Sequence, residues 1–176
     1  PDGMSYAILV LPESDRMTPH VLRKIRELVQ AGATVVGPKP VKSPSLGGFG
    51  EADKEVAALA NEVWGGADGR TIWQNSYGKG KVIWGLPLAD VLAMQGIAPD
   101  FEYTHPATDT LLVSIHRRVQ DTDIYFLSNQ RDRAEDVQVR LRVNGKTPEL
   151  WHSDTCTIEP AEYATVDGRT TVPLHL

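Results

Sequence analysis

The fold is decided by residues 6–37, which read YAILVLPESDRMTPHVLRKIRELVQAGATVVG. The apolar run Tyr6–Leu11 predicts a central strand that is covered on both faces, as in a parallel sheet. Residues 33–37 predict a second strand, and the segment between the two runs has helical spacing. A strand, a helix and a strand in this order predict a parallel strand pair with a right-handed crossover.

The limits of this helix are marked by residues that favour its two ends. Thr18 is a suitable cap, Pro19 fits the first helical position, and Gly32 ends the helix. The apolar residues that share one face are Val21, Leu22, Ile25, Leu28 and Val29. The opposite face is basic, and we interpret it as solvated because the whole chain is acidic.

Three further segments continue the α/β pattern. Glu51–Trp64 and Leu86–Gln95 predict helices, and Thr71–Trp73 with Lys81–Gly85 predict a hairpin at the sheet edge. Residues 37–50 contain many turn formers and predict a long loop, which we expect to pack against a neighbouring domain, with ligand binding as the alternative. The first half is therefore expected to be an α/β domain.

The second half has a different pattern, because short β-rich runs alternate with turn signals and no helical period appears. The runs are residues 112–119, 123–128, 137–143, 149–152, 155–159 and 169–176. In residues 137–143, apolar and polar side chains alternate, which predicts a sheet with one buried face. We expect an antiparallel β-sandwich over residues 99–176. Sandwiches usually have about seven strands, so a last strand could lie outside this sequence.

Composition removes several classes of function. The chain has 176 residues, with 18 Lys and Arg against 23 Asp and Glu and a formal charge of −5, so we expect no nucleic-acid partner. The longest apolar stretch, residues 7–11, is far below the ~18 residues of a membrane-spanning helix, so we expect no membrane partner. A single cysteine, Cys156, excludes an intramolecular disulfide and a zinc site made of several cysteines.

The sequence contains no recognisable catalytic motif, and we predict no catalytic residue, no metal ligand and no cofactor. A Gly-x-Ser-x-Gly turn is absent, and Cys156 is interpreted as a tolerated small residue in a β-turn rather than a nucleophile. The histidines are dispersed and lack the spacing of a helical zinc site. They are His20, His105, His116, His152 and His175.

One polar cluster stands out, namely His116, Arg117 and Arg118 on a predicted strand. Alternation places His116 and Arg118 on one face and Arg117 on the other. We favour an exposed, salt-bridged strand. The alternative is a surface that binds an anion or a sugar, since arginine forms bidentate contacts with such groups. Trp151 is a further candidate for sugar binding, although its apolar neighbours favour a place in the core.

Ten stretches carry a resemblance that runs in order along nearly the whole chain. They are residues 7–12, 15–19, 22–29, 32–40, 77–85, 99–101, 115–118, 123–129, 148–151 and 167–174. Together they resemble the carboxyl-terminal region of large α-L-rhamnosidase-like proteins of glycoside hydrolase family 106. One departure is residues 153–156, where the family pattern ends in Gly and this chain has Cys156.

The resemblance implies a glycoside hydrolase whose catalytic carboxylates lie on a barrel upstream of this segment. A barrel takes ~250 residues in eight strand–helix units, and cleavage needs two facing carboxyl groups ~5–9.5 Å apart. We identify no such pair in the sequence. The resemblance also implies that residues 1–98 form a three-layer, flavodoxin-like parallel-sheet domain similar to class I amidotransferases without their nucleophilic cysteine. A β-sandwich would follow over residues 99–176.

We therefore expect a non-catalytic fragment that is accessory to a barrel in the same polypeptide, and the resemblance favours a periplasmic or secreted bacterial protein. One alternative is a carbohydrate-binding sandwich that uses Trp151, Tyr125 or the 116–118 strand. Another is a small amidotransferase-like or nucleotide-dependent enzyme at the carboxyl edge of the first sheet. Lys79 and Lys81 would serve that enzyme, but their loop lacks the glycines and the Lys-Ser/Thr pair of a phosphate loop.

Overall fold

The computed structural model describes residues 6–48 and 50–176. Residues 1–5, and Phe49 of the predicted 37–50 loop, lie outside the described residues. The chain divides into two compact units, Pro1–Ile97 and Ala98–Leu176. None of the described helices is both long and apolar enough to cross a membrane. The domain limits predicted from the sequence, 1–98 and 99–176, stay a prediction.

The first unit contains a four-stranded sheet with the order β1-β2-β4-β3. Strands β1, β2 and β4 are parallel, and β3 runs antiparallel to β4 at the edge. The elements are β1 (Ile8–Val10), α1 (Pro19–Ala31), β2 (Thr34–Val36), α2 (Glu51–Trp64), β3 (Gln74–Tyr77), β4 (Gly80–Ile83) and α3 (Leu88–Met94).

Helix α1 confirms the prediction made from its end signals. Pro19 is its first residue, the Thr18 side chain accepts a hydrogen bond from the Val21 backbone N–H, and Gly32 ends it with a φ of 125°. Its buried residues are Leu22, Ile25 and Val29. Two other members of the predicted apolar face, Val21 and Leu28, are exposed, so the core stripe is narrower than the sequence pattern.

The two faces of this sheet bury different residues of the same strands. Val35 and Val82 pack against α1 and α2, together with the fully buried Trp64. Their chain neighbours Val36 and Ile83 point to the other face and pack against Val91 of α3. Alternating strand residues therefore contact separate apolar clusters, as the period of two requires.

The predicted flavodoxin-like, amidotransferase-like three-layer fold with a parallel sheet is wrong. Strand pairing in the described chain is mostly antiparallel, and the described helices are three short ones. A flavodoxin-like domain needs a longer parallel sheet with full helices on both faces. Here one face meets only α3, which has seven residues and a single buried one, Val91. The predicted central strand at residues 6–11 is likewise an edge strand, β1, with Leu9 and Val10 partly exposed.

Residues 37–48, the described part of the long predicted loop, are held by α2 of the same unit. The Asp53 carboxylate accepts a hydrogen bond of 2.8 Å from the Ser43 backbone N–H. The Lys39 ammonium donates to the Gly65 carbonyl at 3.0 Å, and the Trp64 indole donates to the Gly37 carbonyl at 3.1 Å. These contacts fix the loop on its own helix, whereas its packing against a neighbouring domain stays a prediction.

The second unit is antiparallel throughout its described strand pairs. A four-stranded sheet has the order β11-β12-β8-β5, and two hairpins pair β6 with β7 and β9 with β10. The strands are β5 (Phe101–Tyr103), β6 (Leu112–Val119), β7 (Thr122–Asn129), β8 (Asp136–Leu141), β9 (Glu149–His152), β10 (Thr157–Pro160), β11 (Ala164–Val166) and β12 (Arg169–His175).

The core of this unit joins the sheet to both hairpins. Val137 and Val139 of β8 and Val172 of β12 are buried with Leu112 of β6, and Leu150 of β9 packs against them. Asp136 and Gln138 are exposed beside the buried Val137 and Val139, which confirms that part of the alternation predicted for residues 137–143. Arg140 and Leu141 are both half-buried and do not alternate. That these sheets form a sandwich, and that it spans residues 99–176, stays a prediction.

The first residue of β4, Gly80, packs closely against the end of α1, and a substitution can test this packing. A Cβ atom added to Gly80 would lie well inside van der Waals contact of the Ala33 and Val29 carbonyl oxygens at the end of α1. We expect Gly80→Ala to lower the free energy of unfolding by about 3 kcal/mol, because the helix end and β4 must separate. Urea unfolding of the 176-residue chain measures the change.

Gly47→Ala is the matched control for this substitution. Its added Cβ would meet only the Ser45 hydroxyl, at 3.3 Å, and we expect a change within about 0.5 kcal/mol. If Gly80→Ala were as stable as Gly47→Ala, the close approach of β4 to the end of α1 would be disproved.

Candidate functional site

The most concentrated group of titratable side chains lies in the second unit, around His116. The register of the β6–β7 hairpin places His116 directly opposite Tyr125. The two rings stack with centroids 4.0 Å apart and planes inclined by 15°. Cross-strand neighbours on one face of an antiparallel pair approach this closely, so the stack follows from the hairpin register.

Each nitrogen of the His116 ring faces a carboxylate. Nδ1 lies 2.8 Å from Oδ2 of Asp100, which directly precedes β5, and Nε2 lies 3.0 Å from Oδ1 of Asp123 in β7. Carboxylates are acceptors, so only the doubly protonated imidazolium can donate both hydrogen bonds at once. The ring thereby links the hairpin to the segment that leads into β5.

Two further cations flank the two carboxylates. Nη2 of Arg142 lies 3.2 Å from Oδ1 of Asp100, and the Lys146 ammonium donates to Oδ2 of Asp123 at 2.6 Å. Nitrogen-bearing side chains and carboxylates therefore alternate along the series Arg142, Asp100, His116, Asp123 and Lys146. We call these five residues the His116 network.

The network shifts the pKa values of one of its members, Asp123, and of one neighbour, Tyr125. Hydrogen bonds from Lys146 and, to a smaller extent, from His116 lower the pKa of Asp123 below its ordinary value. Burial, followed by the charge of Asp100, raises the pKa of Tyr125 above its ordinary value. The Tyr125 hydroxyl donates to Oδ1 of Asp100 at 3.3 Å. At neutral pH Asp123 is thus ionised and Tyr125 is a neutral donor.

These directions argue against acid catalysis by Asp123. The general acid of a glycosidase must hold its proton at neutral pH, which requires a raised pKa. Asp123 has the opposite shift, and its oxygens already accept hydrogen bonds from Lys146 and His116. The arrangement is that of a structural ion network.

A second group of carboxylates is bound in the same way. Nη2 of Arg133 lies 2.6 Å from both Oδ1 of Asp109 and Oε1 of the buried Glu135. The hydrogen bond from Arg133 lowers the pKa of Asp109. The Glu135 carboxylate also accepts from the Thr110 hydroxyl. Both carboxylates therefore contact the same guanidinium, and Asp109 also lies 3.7 Å from Nε of Arg131, so neither is free to act on a substrate.

A shallow, open pocket of about 360 Å³ lies beside the His116 network. Asp123, Tyr125 and Lys146 contribute its polar edge, and Leu141 and Val143 contribute apolar surface. Its volume would admit a small polar molecule. The polar groups at its edge already have partners within the protein, so a ligand would have to compete with the network for them.

The structure separates the three adjacent candidate residues. His116 is in the network. Arg118 lies on the same strand face, where its guanidinium is mostly exposed and approaches the Asp121 carboxylate at 3.7 Å. Arg117 points to the other face of the hairpin, where Ile124 is its cross-strand neighbour. The trio cannot contact one ligand together, and its role in binding a substrate stays a prediction.

Trp151 lies in the other hairpin and is 68% exposed, so the expectation that it belongs to the core is wrong. It pairs across the strands with Ile158, and its indole N–H donates to the Glu149 carboxylate at 3.2 Å. Both contacts stay within the β9–β10 hairpin. An exposed tryptophan on a strand is a surface on which a sugar ring could stack.

The remaining candidates have structural explanations. Gly78 and Gly80 lie against the backbone of Gln30, Val29 and Ala33, so the turn that carries Lys79 packs on the end of α1 rather than cradling a phosphate. Cys156 is exposed, with a φ of 56° in the β9–β10 turn. Within residues 6–48 and 50–176, no group of three or more His, Cys, Asp and Glu side chains is arranged to hold a metal ion.

Comparison with known proteins gives a consistent result over almost the whole chain. Residues 1–165 match the sequence profile of glycoside hydrolase family 106, described as alpha-L-rhamnosidase. A putative beta-glucuronidase of Formosa agariphila is 36% identical over 178 residues, which is all of this chain and 14% of that protein. The structure of a rhamnosidase from Novosphingobium sp. PP1Y superposes with a TM-score of 0.84 at 37% identity, covering 96% of this chain and 16% of that one.

The His116 network predicts a specific effect of removing one carboxylate. We expect Asp123→Asn to lower the free energy of unfolding by about 1–3 kcal/mol at pH 7, because Lys146 and His116 lose a charged acceptor. The folded-state pKa of Asp123 is lowered, so its stabilisation exists above the ordinary carboxyl pKa and is lost as the pH falls through the lowered value. The difference from wild type should therefore shrink below about pH 4.

Asp121→Asn is the control, because this carboxylate lies in the turn two residues before Asp123 and approaches the same lysine at 3.8 Å but is 95% exposed. We expect a change within about 0.5 kcal/mol at every pH. Urea unfolding measures both variants between pH 3, which is below the ordinary carboxyl pKa, and pH 7. A difference for Asp123→Asn that did not depend on pH would contradict a charged role for Asp123.

Proposed function

The chain belongs to glycoside hydrolase family 106, the alpha-L-rhamnosidase family, and on that premise we propose that it is a non-catalytic accessory region of a larger glycoside hydrolase. In this proposal its partner is a catalytic barrel in another part of the same polypeptide. The region would support that barrel or shape the approach to its substrate cleft.

The observation that carries the proposal is the small share of each relative that the chain covers. It spans 14% of the curated relative and 16% of the solved rhamnosidase chain. A catalytic barrel alone takes ~250 residues in eight strand–helix units. The described residues of this chain hold three short helices and mainly antiparallel strands, which leaves the catalytic fold to the remainder of such a polypeptide.

The state of the carboxylates supports the same conclusion. Glycosidic cleavage uses two carboxyl groups that face a sugar, one of them with a raised pKa. The grouped carboxylates of the second unit are paired with cations instead, and the pKa values of Asp109 and Asp123 are lowered. These groups suit a stable scaffold better than a hydrolytic centre.

The names of the two relatives are also informative. One is described as a putative beta-glucuronidase and the other as a rhamnosidase, although this segment is 36% and 37% identical to them. Two proteins named for different sugars thus contain a similar segment. This similarity supports a structural role, which does not depend on the identity of the sugar, over a role in sugar recognition.

A carbohydrate-binding module is a second candidate, favoured by the exposure of Trp151. An indole on the outside of a hairpin could stack on a sugar, and the nearby Glu149 carboxylate could accept hydrogen bonds from hydroxyl groups. His116, Arg117 and Arg118 were proposed from the sequence for the same purpose. They lie in a different hairpin from Trp151, on two faces, so Trp151 is the residue on which this candidate depends.

The accessory role predicts how activity divides between the segment and the longer polypeptide. We expect the 176-residue chain to release nitrophenol from 4-nitrophenyl α-L-rhamnoside no faster than buffer does. The polypeptide encoded by the complete reading frame should hydrolyse it. Turnover by the 176-residue chain would disprove the accessory role, and an inactive complete polypeptide would disprove the rhamnosidase assignment.

The two candidates make different predictions for sugar binding. For an accessory scaffold we expect isothermal titration calorimetry with millimolar L-rhamnose and rhamnose-containing oligosaccharides to show no heat of binding. A carbohydrate-binding module would instead give a binding isotherm that Trp151→Ala abolishes. Tyr163→Ala, at another exposed aromatic residue, would leave that isotherm unchanged and is the control. An isotherm lost only with Trp151→Ala would replace the first candidate with the second.

A further inference from the structure

The β6–β7 hairpin has an apolar face that the rest of the second unit leaves exposed. We call it the outer face, and it consists of Val113, Ile115, Arg117, Val119, Thr122, Ile124, Phe126 and Ser128. Its five apolar members are between 41% and 59% exposed. Ile115 stands directly opposite Phe126, so the apolar side chains of the two strands form one continuous patch.

The inner face of the same hairpin is already in use. Leu112 and Leu127 pack into the core of the second unit, and His116 and Tyr125 belong to or contact the His116 network. An antiparallel strand with one wet face shows apolar residues on alternate positions only. In the β6–β7 hairpin, apolar residues occur in both alternating sets, because Leu112 and Leu127 lie on the inner face and five apolar residues lie on the outer face. This distribution is typical of a sheet buried on both faces.

The neighbouring sheet shows that this pattern is particular to the hairpin. In β8, Val137 and Val139 are buried, whereas Asp136 and Gln138 between and beside them are exposed. That sheet has the ordinary pattern of one apolar and one polar face. The outer face of β6–β7 departs from it, and contiguous exposed apolar patches of this kind mark interaction sites.

We propose that the outer face is an interface with another domain of the same polypeptide, and this inference rests on the accessory role proposed above. The surface that covers it would be apolar, with a carboxylate opposite Arg117. The Arg117 guanidinium forms neither an ion pair nor a hydrogen bond with the protein among residues 6–48 and 50–176. A cation in the middle of an apolar patch needs such a partner when water is removed.

The length of the relatives favours a domain of the same polypeptide as the occupant. The aligned segment is 14% of the Formosa agariphila protein, so about six-sevenths of that protein lies elsewhere. A folded region of that size provides many surfaces next to this segment. Domains joined in one chain also meet at high effective concentration, so an interface of moderate area is sufficient.

The charge of Arg117 disfavours a second copy of this chain. A two-fold dimer places the same patch on both sides of its interface, so two Arg117 guanidinium groups would enter one apolar contact, and the outer face contains no carboxylate to pair with them. Opposition of like charges without a carboxylate is unfavourable. The aliphatic character of the patch likewise disfavours a sugar, because sugar sites need placed polar groups around an aromatic platform.

Thiol labelling can test the interface directly. In a Cys156→Ser background, Ile115→Cys places a thiol on the outer face, and Ile158→Cys places one at a matched site in the other hairpin. The two isoleucines are 57% and 59% exposed, and both lie in two-stranded antiparallel sheets. Val113→Cys gives a second outer-face position if Ile115→Cys disturbs folding. Maleimide labelling of each thiol is followed by peptide mass spectrometry.

Each variant is compared in the 176-residue chain and in the polypeptide encoded by the complete reading frame. We expect both thiols to react at similar rates in the short chain. In the complete polypeptide, the outer-face thiol should react at least about tenfold more slowly than in the short chain, while the Ile158→Cys thiol keeps its rate. A docked domain excludes the reagent from the first site only.

Three outcomes would overturn the inference. An equal rate at the outer face in both polypeptides shows that no other domain covers it. Slow labelling already in the short chain shows that the occupant lies within these 176 residues. Protection that grows with the concentration of the short chain shows a second copy. The labelling does not depend on rhamnoside hydrolysis, so failure of the interface and failure of the proposed function are observed separately.

Discussion

One imidazole between two carboxylates connects the hairpin β6–β7 to the rest of the second unit. A two-stranded hairpin is marginally stable alone, so it needs contacts to other strands. Leu112 and Leu127 supply apolar contact, and His116 supplies the polar link to Asp100 before β5. Partly buried carboxylates are tolerated only when they are paired, and Arg142 and Lys146 provide the remaining positive charge. The network therefore satisfies its own charges and fixes the hairpin at the same time.

Much of the secondary structure was predictable because it depends on local signals. Helix α1 has its cap, its proline and its terminal glycine in the expected places, and α2 spans the predicted residues 51–64. The fold class was not predictable from these elements. Whether β1 lies at the centre or the edge of a sheet depends on strand order, which a run of apolar residues does not encode. The predicted hairpin at the sheet edge is present, but its first strand is Gln74–Tyr77 rather than residues 71–73, because these polar residues pair through the backbone and carry no apolar signal.

The candidate site was predictable only in part, for a similar reason. The sequence singles out His116, and the hairpin register after a short turn could have placed Asp123 and Tyr125 near it. Asp100, Arg142 and Lys146 reach His116 or its partners through tertiary packing, from positions distant along the chain. No spacing rule joins such residues. Trp151 was assigned to the core because its neighbours are apolar, but a short hairpin leaves one of its faces in solvent.

The two faces of β6–β7 have related roles. The inner face carries the His116 ring and its two carboxylates, so it sets where the hairpin lies on the sheet. The outer face carries exposed apolar side chains, and the placement of the hairpin sets where this apolar patch lies on the unit. A protein that only needed a stable hairpin could have polar residues outside, as β8 does. The exposed parts of these apolar side chains add nothing to the stability of the segment alone. Their free-energy contribution is realised when another surface covers them, which is the property expected of an accessory region.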